Sequence, residues 1–209
     1  MVLLRTCGLL MVILLAQSAY CKPSDYMEEV DATLNELRKK GTYSEKLTLL
    51  IADRFINIPR GRSDKAVKCS KDLLRDTTLL SNTNSEVVNF RRNLTLFVDN
   101  YNRTDSLQSI YESLAIFMDT TKHYVELPAD KATAESRLII EQLEKYNCKS
   151  VAMKLIREFD SFFVDFNRLF EEGKRKNDLS QAQLDWYAKF VKLNNLKDKM
   201  VDIIVFMYL

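Results

Sequence analysis

The chain has 209 residues, 46% of them hydrophobic, and its 31 Lys and Arg against 29 Asp and Glu leave a net charge of +2. So even a balance excludes a partner drawn in by bulk charge, nucleic acid above all. The one histidine, His123, would have to serve alone in any triad, histidine–cysteine dyad or multi-histidine metal site, and no phosphate loop, dinucleotide fingerprint or calcium loop occurs; the sequence predicts no enzyme, no cofactor and no resident metal.

From the N-terminus, Arg5, an apolar run from Leu9 to Ala16 and the small residues Ser18 and Ala19 form the tripartite pattern of a secretory signal peptide over residues 1–21. The run is shorter than the roughly 20 residues of a membrane helix, so the mature chain, residues 22–209, is expected to be secreted and extracellular, without a membrane span. Cleavage before Ala19 leaves Cys21 as an odd thiol. Cleavage before Lys22 leaves Cys69 and Cys148 alone, an even pair suited to an oxidising compartment. The second cut is preferred, which makes Cys69–Cys148 the expected disulfide. Closing a loop of about 80 residues, it contributes about 4.5 kcal/mol in the chain-entropy model.

Gly and Pro number four and three, and no stretch alternates cleanly between apolar and polar. The fold class is therefore all-α, a single-domain helical bundle of six to seven helices with one disulfide. Ser24 or Asp25 caps the first helix, Glu28 is placed for a capping box, Tyr26, Val30, Leu34 and Leu37 form the buried stripe, and Gly41 stops it. Ser44 caps a second helix through Leu47, Leu50, Ile51, Phe55 and Ile56, which Pro59 terminates. A third opens at Ser63 or Asp64 and carries Ala66, Val67, Cys69, Leu73, Leu74 and Leu80. After a turn at 82–85, a fourth presents Val87, Phe90, Leu94, Phe97, Val98 and Tyr101. The fifth, from Leu107 to Val125, stops before Pro128, because a pre-proline residue avoids the helical region. The sixth, with Ala134, Leu138, Ile139, Leu143 and Tyr146, runs into Cys148 either directly or through a bend at Asn147.

The strongest periodicity follows. Leu155, Phe159, Phe162, Phe163, Phe166 and Phe170 recur at steps of mostly three and four, with four Phe inside eight residues. They are the core stripe of a helix expected to lie at the centre and to end at Gly173. A last helix begins at Ser180 and continues through Leu184, Tyr187, Val191, Leu193, Met200, Ile203, Ile204 and Met207. Its apolar end, where Asp202 is the only charge from Val201 to Leu209, is too short for a span and is read as buried.

Two triplets, Asn93-Leu94-Thr95 and Asn102-Arg103-Thr104, accept N-glycans in a secreted chain, so Asn93 and Asn102 are the expected sites. The basic clusters at 38–40, 60–62, 91–92 and 174–176 fall mostly at helix ends and links, where cations suit the helix dipole or water; Arg62 and Lys176 also mark candidate processing sites. His123 is read as structural.

Function then falls to surfaces. Size and topology resemble, as architecture alone, those of cytokine-like helical bundles, which implies recognition of an extracellular protein or receptor through exposed helix faces. The alternative is a carrier of an apolar small molecule or lipid, held in a cavity between the Phe-rich helix and the last one.

Overall fold

Short polar side chains decide where these helices begin, and in several places they overrule the hydrophobic stripes. The computed structural model describes residues 34–103 and 106–209, and among them there is no strand. The expected signal peptide and the cap of the first helix lie outside the described residues. Helix α1 occupies residues 34–40 and gives way at Gly41, with Leu34 and Leu37 packed on Leu49 and Ala52.

Thr42, not Ser44, caps α2 (Tyr43–Leu50), in a capping box with Glu45. Ser44 instead accepts a hydrogen bond from Gln183 at 2.8 Å, tying α2 to the C-terminal region. The helix then widens into a π turn, Ile51–Phe55, closed by a 3.0 Å bond from the Ile56 N–H to the Ile51 carbonyl. Pro59 does not terminate the segment. It sits within α3 (Asn57–Arg60), a single turn in which a missing N–H has no intrahelical partner to lose.

The expected third helix divides into α4 (Ser63–Leu74) and α5 (Thr77–Ser81), because Asp76 caps the second piece by accepting from the Thr78 and Leu79 N–H groups. Helices α6 (Ser85–Tyr101) and α7 (Leu107–Glu126) stand where the periodicity put them, capped by Asn84 and Ser106. A 3-10 turn, Ala129–Lys131, leads into α8 (Ala134–Lys145). The chain then bends, with Asn147 in the left-handed conformation at φ 60°, before α9 (Cys148–Arg175).

Gly173 does not end α9. A Cβ there would lie 2.6 Å from the Tyr43 Cβ, so the close approach of α2 requires the glycine. The expected last helix is two, α10 (Gln181–Phe190) and α11 (Leu196–Phe206), since Asn195 caps the second. Val191, expected to be buried, is 51% exposed in the link between them.

The Phe-rich helix is central, as its stripe implies, but it shares the centre with α7. Helix α9 packs on α2, α4, α7 and α8, whereas α7 holds α6, α9 and α11. Leu155, Phe159, Phe162, Phe166 and Phe170 are wholly buried. Phe163 is not: it lies half-buried at the edge of the core. Cys69 of α4 and Cys148 at the start of α9 are joined as a disulfide, with Cα atoms 5.5 Å apart. In α11, Met200, Ile203 and Phe206 are buried while Tyr208, beyond its end, is 83% exposed.

Candidate functional site

Two clamps position α9. At its start, beside the disulfide, Asp76 is 4% exposed and accepts hydrogen bonds from Lys145 Nζ and Tyr146 Oη, both at 2.8 Å. Burial pushes the Asp76 carboxyl up, but the bonds from Lys145, Tyr146 and the Leu79 N–H outweigh it and hold the group at about 2. At the other end Phe170 stacks on Tyr187 with centroids 3.9 Å apart, and Trp186 stacks on Phe190 at 4.8 Å. Burial, with Glu171 alongside, pushes the Tyr187 hydroxyl up to about 12. One further side of α9 is bolted to the π turn and the α3–α4 link by the ion pairs Arg54–Asp165 and Arg62–Glu158.

The side of α9 opposite those ion pairs is open. There Ile156, Asp160, Phe163, Val164 and Asn167, spaced by threes and fours, form the floor of a groove of about 620 Å³. One wall is α7, with Asp119 and Lys122; the other is the α10–α11 corner, with Asn194, Asn195, Leu196 and Lys199. Val164 is 66% exposed, an apolar side chain facing water from the middle of the central helix. Phe163 rests on Phe162 and Phe190, at 5.4 and 6.2 Å, and turns its remaining surface to the groove.

The polar groups of the groove are unequally committed. Asn195 is fixed by its cap on the Asp198 N–H at 2.7 Å, and Asn167 accepts from the Tyr187 hydroxyl at 3.3 Å. Burial raises the Asp119 carboxyl, and Lys122 beside it partly offsets that. Lys122 itself reaches Glu126 only at 3.9 Å. The side chains of Asp160, Asn194 and Lys199 make no hydrogen bond or ion pair among the described residues. Such a site can bind by apolar contact and hydrogen bonding.

Elsewhere the expected functional residues are scattered. Asn93 is half-buried on α6, and Asn102 is exposed at its C-terminal end, nine residues on. His123 is exposed and meets the Tyr124 ring at 5.2 Å. Among the described residues no three His, Cys, Asp or Glu are gathered as a metal site. The basic clusters brace the fold: Arg38 pairs with Asp53 at 2.5 Å, Arg91 donates to the Leu79 and Leu80 carbonyls, and Lys176 lies over the Tyr43 ring at 5.1 Å. Between α9 and α11, where the alternative reading placed a carried ligand, Phe166 and Phe170 meet Phe206 with centroids 5.5 and 6.3 Å apart.

The groove itself is absent from the sequence reading. Its one visible signal is Val164, an apolar residue off the core stripe of α9. Compared with known proteins, the chain matches no family model, no curated relative and no solved structure.

Proposed function

We propose that this is a secreted, glycosylated, non-enzymatic binding protein that recognises another extracellular macromolecule, in the manner of a cytokine-like ligand, through the groove between α7, α9 and α11. The observation that carries the reading is the exposure of Val164 and of part of Phe163 on a helix held at both of its ends. A rigid, partly apolar surface loses little conformational freedom on binding, which favours recognition. The disulfide supports an oxidising compartment, and with it removal of residues 1–21 and glycans at Asn93 and Asn102.

The test is binding of labelled mature protein to intact cells. Binding that saturates, that unlabelled protein competes away, and that the exposed substitution Val164→Arg abolishes is the expected result. Binding that Val164→Arg leaves unchanged would remove the groove from the account. An apolar ligand that co-purifies and raises the melting temperature would favour the carrier instead.

A further inference from the structure

The sequence carries four basic clusters, and the fold engages three of them. In 38–40, Arg38 is paired with Asp53 and Lys40 with Glu36. In 60–62, Arg62 is paired with Glu158, and the next residue, Ser63, is buried with its hydroxyl donating to the Pro59 carbonyl. In 91–92, Arg91 donates to the Leu79 and Leu80 carbonyls from the middle of α6. At 174–176 only Lys176 is engaged, over the Tyr43 ring at 5.1 Å. Lys174 and Arg175 are exposed and make no hydrogen bond or ion pair among the described residues. Among the described residues they are the one adjacent pair of free cations in these clusters.

We infer that the Arg175–Lys176 bond is a processing site for an endoprotease whose acidic pockets take two adjacent basic side chains. A cation entering such a pocket trades water for a carboxylate, whereas one already held by Asp53 or Glu158 first has to break that pair. Cleavage also needs extended backbone. Around Arg175 that means opening one terminal turn of α9, held by the Lys176 and Asp178 N–H groups on the Glu172 and Gly173 carbonyls at 3.0 to 3.2 Å. Helix ends open more readily than helix centres, and this turn contains a glycine. Water adds across the bond, leaving a carboxylate on Arg175 and an ammonium on Lys176. The disulfide lies wholly before the cut, and residues 176–209 contain no cysteine, so nothing covalent retains them. Ring contacts do. Phe170 meets Tyr187 at 3.9 Å, and Phe166 meets Trp186 and Phe206 at 5.9 and 5.5 Å, all across the cut. The product is a two-chain protein in which one wall of the groove, with Asn194, Leu196 and Lys199, belongs to the shorter chain. The inference rests on the reading above for the compartment in which such proteases act.

The experiment is expression of the full chain in an animal-cell line, with the medium analysed by mass spectrometry under native and then denaturing conditions. Most of the secreted protein carries a single cut after the signal is removed, with a fragment that begins at Lys176. The two pieces travel as one native species and separate on denaturation without reduction. Arg175→Ala and Lys174→Ala each lower the yield of the fragment about tenfold or more, while Lys39→Ala, in another exposed basic cluster, leaves it unchanged. All three side chains are exposed, so the variants retain the fold. The inference is overturned if the secreted chain is intact, if it is cut elsewhere, or if Arg175→Ala is cut as wild type is. An intact secreted chain that still binds cells overturns this inference and spares the protein-recognition reading. A chain cut at Arg175 that does not bind cells does the opposite, and retention of the chain inside the cell overturns both.

Discussion

Compare the two ends of α9. At Cys148 the hold is local: one disulfide to Cys69 and one buried carboxylate, Asp76, tied to Lys145 and Tyr146. Past Phe162 it is collective, for Phe166 alone meets the rings of Phe162, Phe170, Trp186, Phe190 and Phe206 at 5.5 to 6.2 Å. A point clamp is lost whole when one group goes, whereas a ring cluster weakens with the area removed. Held in both ways, α9 can leave one side of its middle uncovered, and that side is the floor of the groove.

The largest expected effect breaks the collective end. Phe166→Ala should lower stability by about 4 kcal/mol, read as a shift of the denaturant midpoint, because five neighbouring rings lose their common partner. A loss under about 1.5 kcal/mol would mean that the neighbouring rings collapse onto the gap and that the cluster does not hold this end of α9. Next is the point clamp: replacing Cys69 and Cys148 together by Ala should cost about 3 kcal/mol, less than the chain-entropy figure of about 4.5 because residual structure in the denatured chain already restricts the loop. An unchanged melting temperature would show that the bridge adds nothing to the packed end.

The two ends should also part by pH. Asp76 has its carboxyl at about 2 against an ordinary 3.8, so its contribution is fully present above about pH 4 and is lost as pH falls through 2. That contribution is about 2 kcal/mol, and Asp76→Asn should remove this share of the acid dependence, leaving that of Asp165, whose carboxyl the Arg54 bond also holds below its ordinary value. Tyr187 has the opposite sign. Raised from 10.0 to about 12, it favours the fold below pH 10 and loses that contribution as pH rises through 12. Acid should therefore loosen the Asp76 clamp and the Arg54–Asp165 pair before the ring cluster, and alkali the cluster first, which Trp186 fluorescence followed from pH 7 down to 2 and up to 12 resolves.

A smaller effect sharpens the boundary between the ends. Gly173→Ala places a methyl group 2.6 Å from the Tyr43 Cβ and should cost about 1 to 3 kcal/mol by pushing α2 away; relief of helix entropy would give the reverse sign if α2 can shift. The smallest is in the groove. Val164→Ser should change stability by less than about 0.5 kcal/mol while weakening binding to cells.

How much of this was legible depended on what each feature rests on. The stripe of α9 and the Cys69–Cys148 pair follow from helical period and cysteine parity, which are properties of the sequence itself, and both stand in the structure save for Phe163, which is half-buried. The breaks before Asp76 and Asn195 were missed, because apolar periodicity runs on to Leu80 past the first and to Met200 past the second, while in each case a single capping side chain starts a new helix. Gly173 was misread as a stop signal, since a glycine placed for the approach of Tyr43, 130 residues away, looks the same in sequence as one placed for a turn. The groove was invisible for a similar reason. Its walls come from α7 and the α10–α11 corner, and only their packing against α9 brings Asp119 and Asn194 to one place.

The measurement that tests the central claim most directly is native-state amide exchange along α9, with the disulfide intact and then reduced. If the ends are held independently, reduction speeds exchange from Cys148 to Leu155 and leaves Phe162 to Phe170 protected. Equal loss of protection along the whole helix would contradict the account, and would make the disulfide the support of both ends.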